Sequence, residues 1–208
     1  MKVRAPDPKS AIRNPQSALG KPRAATRPLR AASKVKSLPV AVRAVRKAQG
    51  EGRRVVFTNG CFDLLHRGHV RYLEEARRLG DFLVVAVNGD ASARQLDKGP
   101  GRPVVPETER AEVLAALAAV DLVVIFAEPD PARVIRAIRP DVLVKGGDWP
   151  VDRIIGADFV LAHGGTVRSL GYIPGTSSTG LIRRIAASAG RRDRKAGGRK
   201  QEAGSRKQ

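Results

Sequence analysis

The stretch Thr58-Asn59-Gly60-Cys61-Phe62-Asp63-Leu64-Leu65-His66-Arg67-Gly68-His69 decides which fold this chain adopts. It follows the apolar run Val55-Val56-Phe57, which is typical of a buried strand, and it precedes a segment from Val70 to Leu79 with apolar residues at helical spacing. The motif is therefore predicted to lie on a strand-to-helix turn. A helix begins with unpaired N–H groups and a positive dipole end, and both attract phosphate.

The side chains of the motif suit a reaction at phosphorus. Gly60 and Gly68 have no Cβ, so the backbone can approach an anion closely, while His66 and His69 are expected to project from the first helical turn. Two imidazoles that donate hydrogen bonds to phosphoryl oxygens would stabilise the changing charge of a displacement reaction. Such a reaction needs no covalent nucleophile from the enzyme.

A His-x-x-His pair is also typical of half a metal site. Further ligands at suitable spacing would then be needed, and only Cys61 and His163 remain as soft candidates. Neither has the spacing of a metal motif, so we predict a phosphate site and no metal site formed by the protein.

The order of apolar runs predicts an α/β fold, a Rossmann-like doubly wound parallel sheet in a single domain. Predicted strands are 55–57, 82–87, 122–126, 142–144, 159–161 and 167–170; predicted helices are 39–51, 70–79, 107–118, 131–138 and 179–187. Ligands of such sheets bind beyond the carboxyl ends of the strands. We therefore expect the polar segments 88–90, 126–130 and 145–149 to open onto the cleft that contains the histidines.

The charge of the chain is concentrated at its ends. The formal net charge is +19, with 13 basic and 2 acidic residues in 1–52, 10 basic and 2 acidic in 183–208, and 16 of each sign in 53–182. The predicted domains are a disordered basic tail (1–37), a leading helix or linker (38–52), the catalytic domain (53–189) and a second disordered basic tail (190–208). The tails either bind polyanions or merely aid solubility, and the sequence leaves both open.

Two polar segments outside the motif are predicted to bind phosphates. Lys98 and Arg102 lie in a loop rich in Gly and Pro, where their charges suit a mobile cover over a phosphoryl-transfer site. Ser177, Ser178 and Thr179 directly precede the last predicted helix. One hydroxyl is enough to cap a helix, so the cluster predicts a second anion site facing the histidines.

Together these segments resemble the cytidylyltransferase-like nucleotidyltransferases. The run Gly60 to His69 is similar to their His-x-Gly-His signature, Ser177 to Thr179 to their Ser-Ser/Thr-Thr motif, and Lys145 to Trp149 to their Gly-Asp-Trp region. The resemblance is greatest to the ADP-heptose synthase type, on 57–63, 99–103 and 139–148, and it covers residues 53–186. It implies transfer of AMP from ATP to heptose 1-phosphate, with Mg²⁺ held mainly by the nucleotide phosphates.

The resemblance also implies roles for single residues. Cys61, Phe62, His66, Gly68, His69, Asp148 and the hydroxyl cluster are expected to bind the nucleotide; His66, His69 and Lys98 are expected to be catalytic; Lys98, Arg102 and Arg110 are expected to bind the substrate. For Arg110 a structural ion pair is equally consistent with the pattern. Asp63 is expected either to fix a histidine tautomer or to cap the turn. Cys61 is not expected to be a nucleophile.

Several alternatives stay open at this point. One is a CTP- or ATP-dependent transferase acting on another phosphorylated alcohol; its CTP-dependent glycerol-3-phosphate type is disfavoured because Tyr172 and Ile173 replace the Arg-Thr pair of that type. Another is a non-catalytic nucleic-acid-binding protein that uses the basic tails. The resemblance implies a stand-alone enzyme that a separate sugar kinase supplies. The single cysteine and the lack of a long apolar run favour a cytoplasmic protein, and a homodimer is a further expectation.

Overall fold

A five-stranded parallel sheet in the order β3-β2-β1-β4-β5 forms the centre of the protein. The computed structural model describes residues 30–96, 99, 101–147, 149–171 and 175–188. The strands are β1 (Val55–Gly60), β2 (Phe82–Asn88), β3 (Leu122–Phe126), β4 (Val142–Gly146) and β5 (Thr166–Leu170). The predicted Rossmann-like doubly wound parallel sheet is confirmed.

Helices connect the strands and cover both faces of the sheet. They are α1 (Arg30–Lys34), α2 (Leu38–Gly50), α3 (Arg67–Arg77), α4 (Asp90–Gln95), α5 (Glu107–Ala116), α6 (Ala132–Ile138), α7 (Ala157–Ala162) and α8 (residues 178–188), with a 3₁₀ turn at Val151–Arg153. No helix in the described part of the chain has the length and apolar character needed to cross a membrane.

The alternation of side chains along the strands produces two cores. In β1, Val55 and Phe57 face a cluster that includes residues of α2, α6 and α7, whereas Val56 faces a cluster with residues of α3 and α5. All three side chains are completely buried. Burial on both faces explains why the strands read as continuous apolar runs rather than as alternating patterns.

The position of β1 determines where a ligand can bind. It pairs with β2 on one side and β4 on the other, so Phe57 lies beside both Val84 and Leu143. The chain thus proceeds outward from β1 through β2 to β3, and then returns to build β4 and β5 on the opposite side. Beyond the carboxyl ends of β1 and β4 the connecting loops diverge, and open α/β sheets bind ligands in the crevice that results.

The strand predicted at 159–161 is wrong, because these residues belong to α7. Ala157 and Val160 are buried and Leu161 is 51% exposed, which is the one-sided burial of a helix. A three-residue apolar run is too short for its periodicity to separate a strand from a helix.

The predicted disorder of residues 1–37 is wrong for residues 30–37. They form α1 and an isolated parallel bridge between Val35 and Val123 of β3, where the Lys36 N–H donates to the Val123 carbonyl at 2.9 Å. The Lys34 ammonium donates to the Val120 carbonyl at 2.7 Å. Residues 1–29 and the segment predicted to be a tail at 190–208 lie outside the described residues.

Candidate active site

A cavity of about 720 Å³ opens at the crevice between β1 and β4. We call it the histidine cavity. It is lined by Asn59, Gly60, Cys61, Phe62, Asp63, His66, Gly68, His69, Tyr72, Arg102, Lys145, Gly146, Trp149, Gly171, Thr176, Ser177, Ser178 and Thr179. The strand-to-helix motif and the hydroxyl cluster, 110 residues apart in sequence, thus face the same space.

The two histidines stack on each other at the start of α3. His66 is the N-cap residue and His69 lies in the first turn, and their ring centroids are 3.9 Å apart with an interplanar angle of 21°. Burial lowers the pKa of His66, because the charged imidazolium loses hydration that the neutral ring does not need. The Nδ1 atom of His66 is buried and has no hydrogen-bond partner among the described residues. His66 is therefore suited to be neutral at pH 7 and to hydrogen-bond a ligand.

Phe62 holds the second histidine in place. Its backbone is left-handed, with φ 47°, which is uncommon for a residue other than glycine. The turn brings its ring back over Gly60, where an added Cβ would lie 3.1 Å from Phe62 Cε2. The ring edge then packs against His69, with 5.3 Å between centroids. A side chain at residue 60 would therefore crowd the ring of Phe62 that packs on His69.

The N-terminus of α8 is fastened to the same loop. Ser177 caps the helix, because its Oγ accepts from the Gly180 N–H at 3.0 Å. The Ser178 hydroxyl donates to the Leu64 carbonyl at 2.9 Å and so ties α8 to the motif. Two helix N-termini, those of α3 and α8, therefore open onto one cavity, and both favour an anion between them.

Gly68 is packed too tightly to carry a side chain. An added Cβ would overlap Thr176 Oγ1 and lie 2.9 Å from His66 Nδ1. The backbone of α3 therefore lies so close to the segment before α8 that a Cβ at residue 68 does not fit between them without a shift. Any larger residue would separate the two helix starts or displace His66.

Asp63 anchors the loop that carries Arg102. Its carboxylate accepts from Arg102 Nε at 2.5 Å and from the backbone N–H groups of Val104 and Val105 at 2.8 and 3.0 Å. The side chains of Asp63 and Arg102 are only 2% and 9% exposed. The sequence left two roles open for Asp63, and these contacts are those of a cap. The carboxylate caps the 102–105 loop rather than the turn of the motif itself.

Arg110 connects three segments beneath the cavity. Its guanidinium donates to the carbonyls of Val105 and Cys61 at 2.8 and 2.5 Å, and it forms an ion pair with Asp90 at 2.6 Å. The side chain is completely buried. This is the structural ion pair that the sequence left open as an alternative to substrate binding, since a substrate would have to displace these partners.

The carboxyl ends of β2 and β3 do not contribute to the cavity as expected. Residues 88–90 and 126–130 are described in full, and neither segment is part of its lining. Asn88 is bonded to Ser92, and the Asp90 backbone N–H donates to Glu107. The polar groups of Asn88 and Asp90, which were expected to face a ligand, thus form contacts at the starts of α4 and α5 instead.

The remaining predicted residues divide into two groups. Cys61, Phe62, Gly68, Arg102, Ser177, Ser178 and Thr179 line the histidine cavity. Lys98 and Asp148 lie outside the described residues. Their assigned roles stay predictions.

Sequence reasoning missed Tyr72 as a site residue. Its hydroxyl pairs with Thr58 Oγ1 at 2.6 Å and donates to the Val144 carbonyl at 3.3 Å, so it bridges β1 and β4 under the cavity. The signal was present in its spacing, because Tyr72 follows His69 by three residues and therefore shares its helix face.

The donors of the described residues do not form a metal site of their own. Within the described ranges, no group of three or more His, Cys, Asp or Glu side chains is arranged to hold an ion. Among the described lining residues the one carboxylate is that of Asp63, which already accepts three hydrogen bonds.

Comparison with known proteins agrees with this geometry. Residues 57–165 match the cytidylyltransferase-like family, which is more than half of the chain. Two curated relatives, each named bifunctional protein HldE, are 54% identical over 151 residues (Azotobacter vinelandii) and 55% identical over 150 residues (Alkalilimnicola ehrlichii). These alignments cover 73% and 72% of this chain but only 32% and 31% of the relatives, so the chain spans about a third of their length.

A solved structure, the lipopolysaccharide core biosynthesis protein from Thermoplasma volcanium, is 31% identical with a TM-score of 0.49; the match covers 59% of this chain and 98% of that one. The family match covers residues 57–60 of β1, the histidine motif and β4, whereas Gly171 and residues 176–179 of the cavity lining lie beyond it. The chain belongs to the cytidylyltransferase-like family.

Proposed function

We propose that this protein is a nucleotidyltransferase that transfers AMP from ATP to heptose 1-phosphate, giving ADP-heptose and pyrophosphate. The observation that carries the proposal is the pair of opposed helix N-termini, one with stacked histidines and one with hydroxyls, around a cavity of about 720 Å³. A triphosphate needs donors along its whole length, and this arrangement provides them from two sides.

The reaction is a displacement at the α-phosphorus of ATP. A phosphate oxygen of the sugar phosphate forms the new P–O bond, the bond from the α-phosphorus to the α,β-bridging oxygen breaks, and pyrophosphate leaves with that electron pair. In our proposal His66 and His69 donate hydrogen bonds to α- and β-phosphate oxygens. Ser177, Ser178 and Thr179 hold the departing pyrophosphate at the start of α8.

The cationic residues and the metal have supporting roles in this proposal. Lys98 and Arg102 reduce the repulsion between two anionic substrates. Mg²⁺ enters bound to the nucleotide and neutralises phosphate charge. Each transition-state donor is expected to contribute a factor on the order of 10² or more to turnover.

The acceptor is the more specific part of the proposal. It is supported by the resemblance of 57–63, 99–103 and 139–148 to the ADP-heptose synthase type, and by the relatives at 50% identity and above. We further propose that a sugar kinase acting before this step supplies the heptose 1-phosphate.

A pyrophosphate-release panel tests the proposal. ATP and CTP are each combined with heptose 1-phosphate, other sugar 1-phosphates and glycerol 3-phosphate, and release is expected with ATP and heptose 1-phosphate. His69→Ala should abolish the signal, while His163→Ala should retain it, because the exposed His163 side chain contacts Phe159 and is not part of the lining of the histidine cavity. Release with CTP and glycerol 3-phosphate alone would replace our assignment with the cytidylyltransferase alternative.

A further inference from the structure

Trp149 leaves half of its surface in water at the edge of the histidine cavity. It is 49% exposed, and it lines the cavity on the side of β4 and β5. A tryptophan side chain offers a large flat apolar face, and burial of that face is among the most stabilising contacts available to a protein. Exposure of an indole beside a cavity is therefore a reason to ask which ligand covers it.

The turn below the indole is held by hydrogen bonds. The Trp149 backbone N–H donates to the Gly147 carbonyl at 2.8 Å and to Ser169 Oγ at 3.0 Å. The Ser169 hydroxyl in turn donates to the Gly147 carbonyl. Because Ser169 belongs to β5, these hydrogen bonds fix the backbone of Trp149 to the sheet and restrict the position of its side chain.

The two sides of the cavity differ in chemistry. On the β2 side lies Arg102, a cation held by Asp63. On the β4 side lie Lys145, Gly146, Gly171 and Trp149, so this side combines a cation with closely approaching backbone and the apolar ring of the indole. Gly146 also approaches the Tyr72 ring, since an added Cβ would lie 3.2 Å from Tyr72 Cε2. An anionic sugar phosphate suits the Arg102 side, and a flat uncharged ring suits the exposed indole face on the β4 side.

We infer that Trp149 stacks on the adenine of ATP and is the residue that anchors the base. This inference rests on the proposed function, and it adds the orientation of the nucleotide: base toward β4 and β5, acceptor toward the 102–105 loop. Stacking of a base on an aromatic side chain commonly changes affinity by about 5- to 150-fold on replacement by alanine.

Intrinsic fluorescence provides a direct test, because Trp149 is the one tryptophan in the chain. With excitation at 295 nm, titration of the wild-type protein with Mg-ATP should quench or shift the emission. Inorganic tripolyphosphate, which has phosphates but no base, should leave the emission unchanged, and so should heptose 1-phosphate alone. If tripolyphosphate or the sugar phosphate produces the same change as ATP, the inference is wrong.

Affinity measurements on variants complete the test. By isothermal titration calorimetry, Trp149→Ala should weaken ATP binding on the order of tenfold or more, whereas Trp149→Phe should stay within a few-fold of wild type. The steady-state KM for ATP should rise in Trp149→Ala while the KM for the sugar phosphate stays constant. Ile155→Ala is the matched control, since Ile155 is 51% exposed, apolar and outside the cavity lining.

The failure of this inference differs from the failure of the proposed function. An enzyme that releases pyrophosphate normally but shows no ATP-dependent change at Trp149 refutes only the base assignment. A protein that binds ATP at Trp149 but releases no pyrophosphate with any acceptor refutes the proposed reaction and leaves the base assignment standing.

Discussion

Replacement of Gly68 by alanine should separate catalysis from stability. Gly68 is the second residue of α3 and its φ is not in the left-handed region, so the backbone accepts alanine. Helix propensity alone would then favour alanine by about 0.5–1 kcal/mol. The obstacle is steric, because the methyl group would overlap Thr176 Oγ1 and lie 2.9 Å from His66 Nδ1.

The contact distance sets the expected size of the effect. Ordinary van der Waals contact begins at 3.4 Å, so the His66 ring has to move by about 0.5 Å and Thr176 by more. Overpacking of this kind costs about 1–3 kcal/mol, of which the helix propensity offsets part. The net loss of about 0–2 kcal/mol leaves a typical domain folded. Displacement of reacting groups by about 1 Å costs on the order of 10²-fold in rate.

We therefore expect Gly68→Ala to lower kcat about 10-fold, since the His66 ring moves by about half of that distance, while the melting temperature falls by no more than about 8 °C. Pyrophosphate release and thermal unfolding by circular dichroism are the two measurements. Gly50→Ala is the matched control, because Gly50 ends α2 and an added Cβ there meets nothing within 4 Å. A folded Gly68→Ala protein with kcat within twofold of wild type would refute the argument that this contact positions His66.

Three further outcomes follow from the site. His69→Ala should leave the melting temperature unchanged and lower kcat by a factor of about 10² or more. Wild-type turnover in this variant would contradict the proposed mechanism. Asp63→Asn leaves the buried Arg102 without its ion-pair partner and should cost about 3–5 kcal/mol in urea unfolding; a loss below about 1 kcal/mol would contradict a buried pair. The NMR titration midpoint of His66 should lie below the ordinary histidine pKa of about 6.5. Because the pKa of His66 is lower in the folded protein than in the unfolded chain, the unfolded chain binds the proton at a higher pH. The free energy of unfolding should therefore fall as the pH drops through that range, and it should fall less in His66→Gln.

The sequence was sufficient for the sheet and for the two helix starts because each has a local physical signature. Continuous apolar runs such as Val55 to Phe57 are typical of strands that are buried on both faces, and hydroxyls before a helix, such as Ser177 before α8, favour a cap. These signals do not depend on contacts with distant parts of the chain. The same holds for Gly60 and Gly68, whose lack of a Cβ is visible in the sequence.

What the sequence left undecided depends on distant partners. Asp63 contacts Arg102 and the N–H groups of residues 104 and 105, about 40 positions away, and no local pattern states that pairing. Arg110 has the spacing of a surface residue, yet it is buried by carbonyls from two other segments. In both cases the sequence left two roles open for the charged side chain, because its protein partners include residues far away in the chain.

The short bridge between Val35 and Val123 has a consequence for the handling of this protein. A strand at the border of a sheet carries a row of unpaired N–H and C=O groups, and another chain can pair with it and start aggregation. Here the Lys36 N–H occupies the Val123 carbonyl of β3. An expression fragment that starts after Ser37 would uncover that border, so residues 30–37 should be retained in any shortened version that is intended to remain monodisperse.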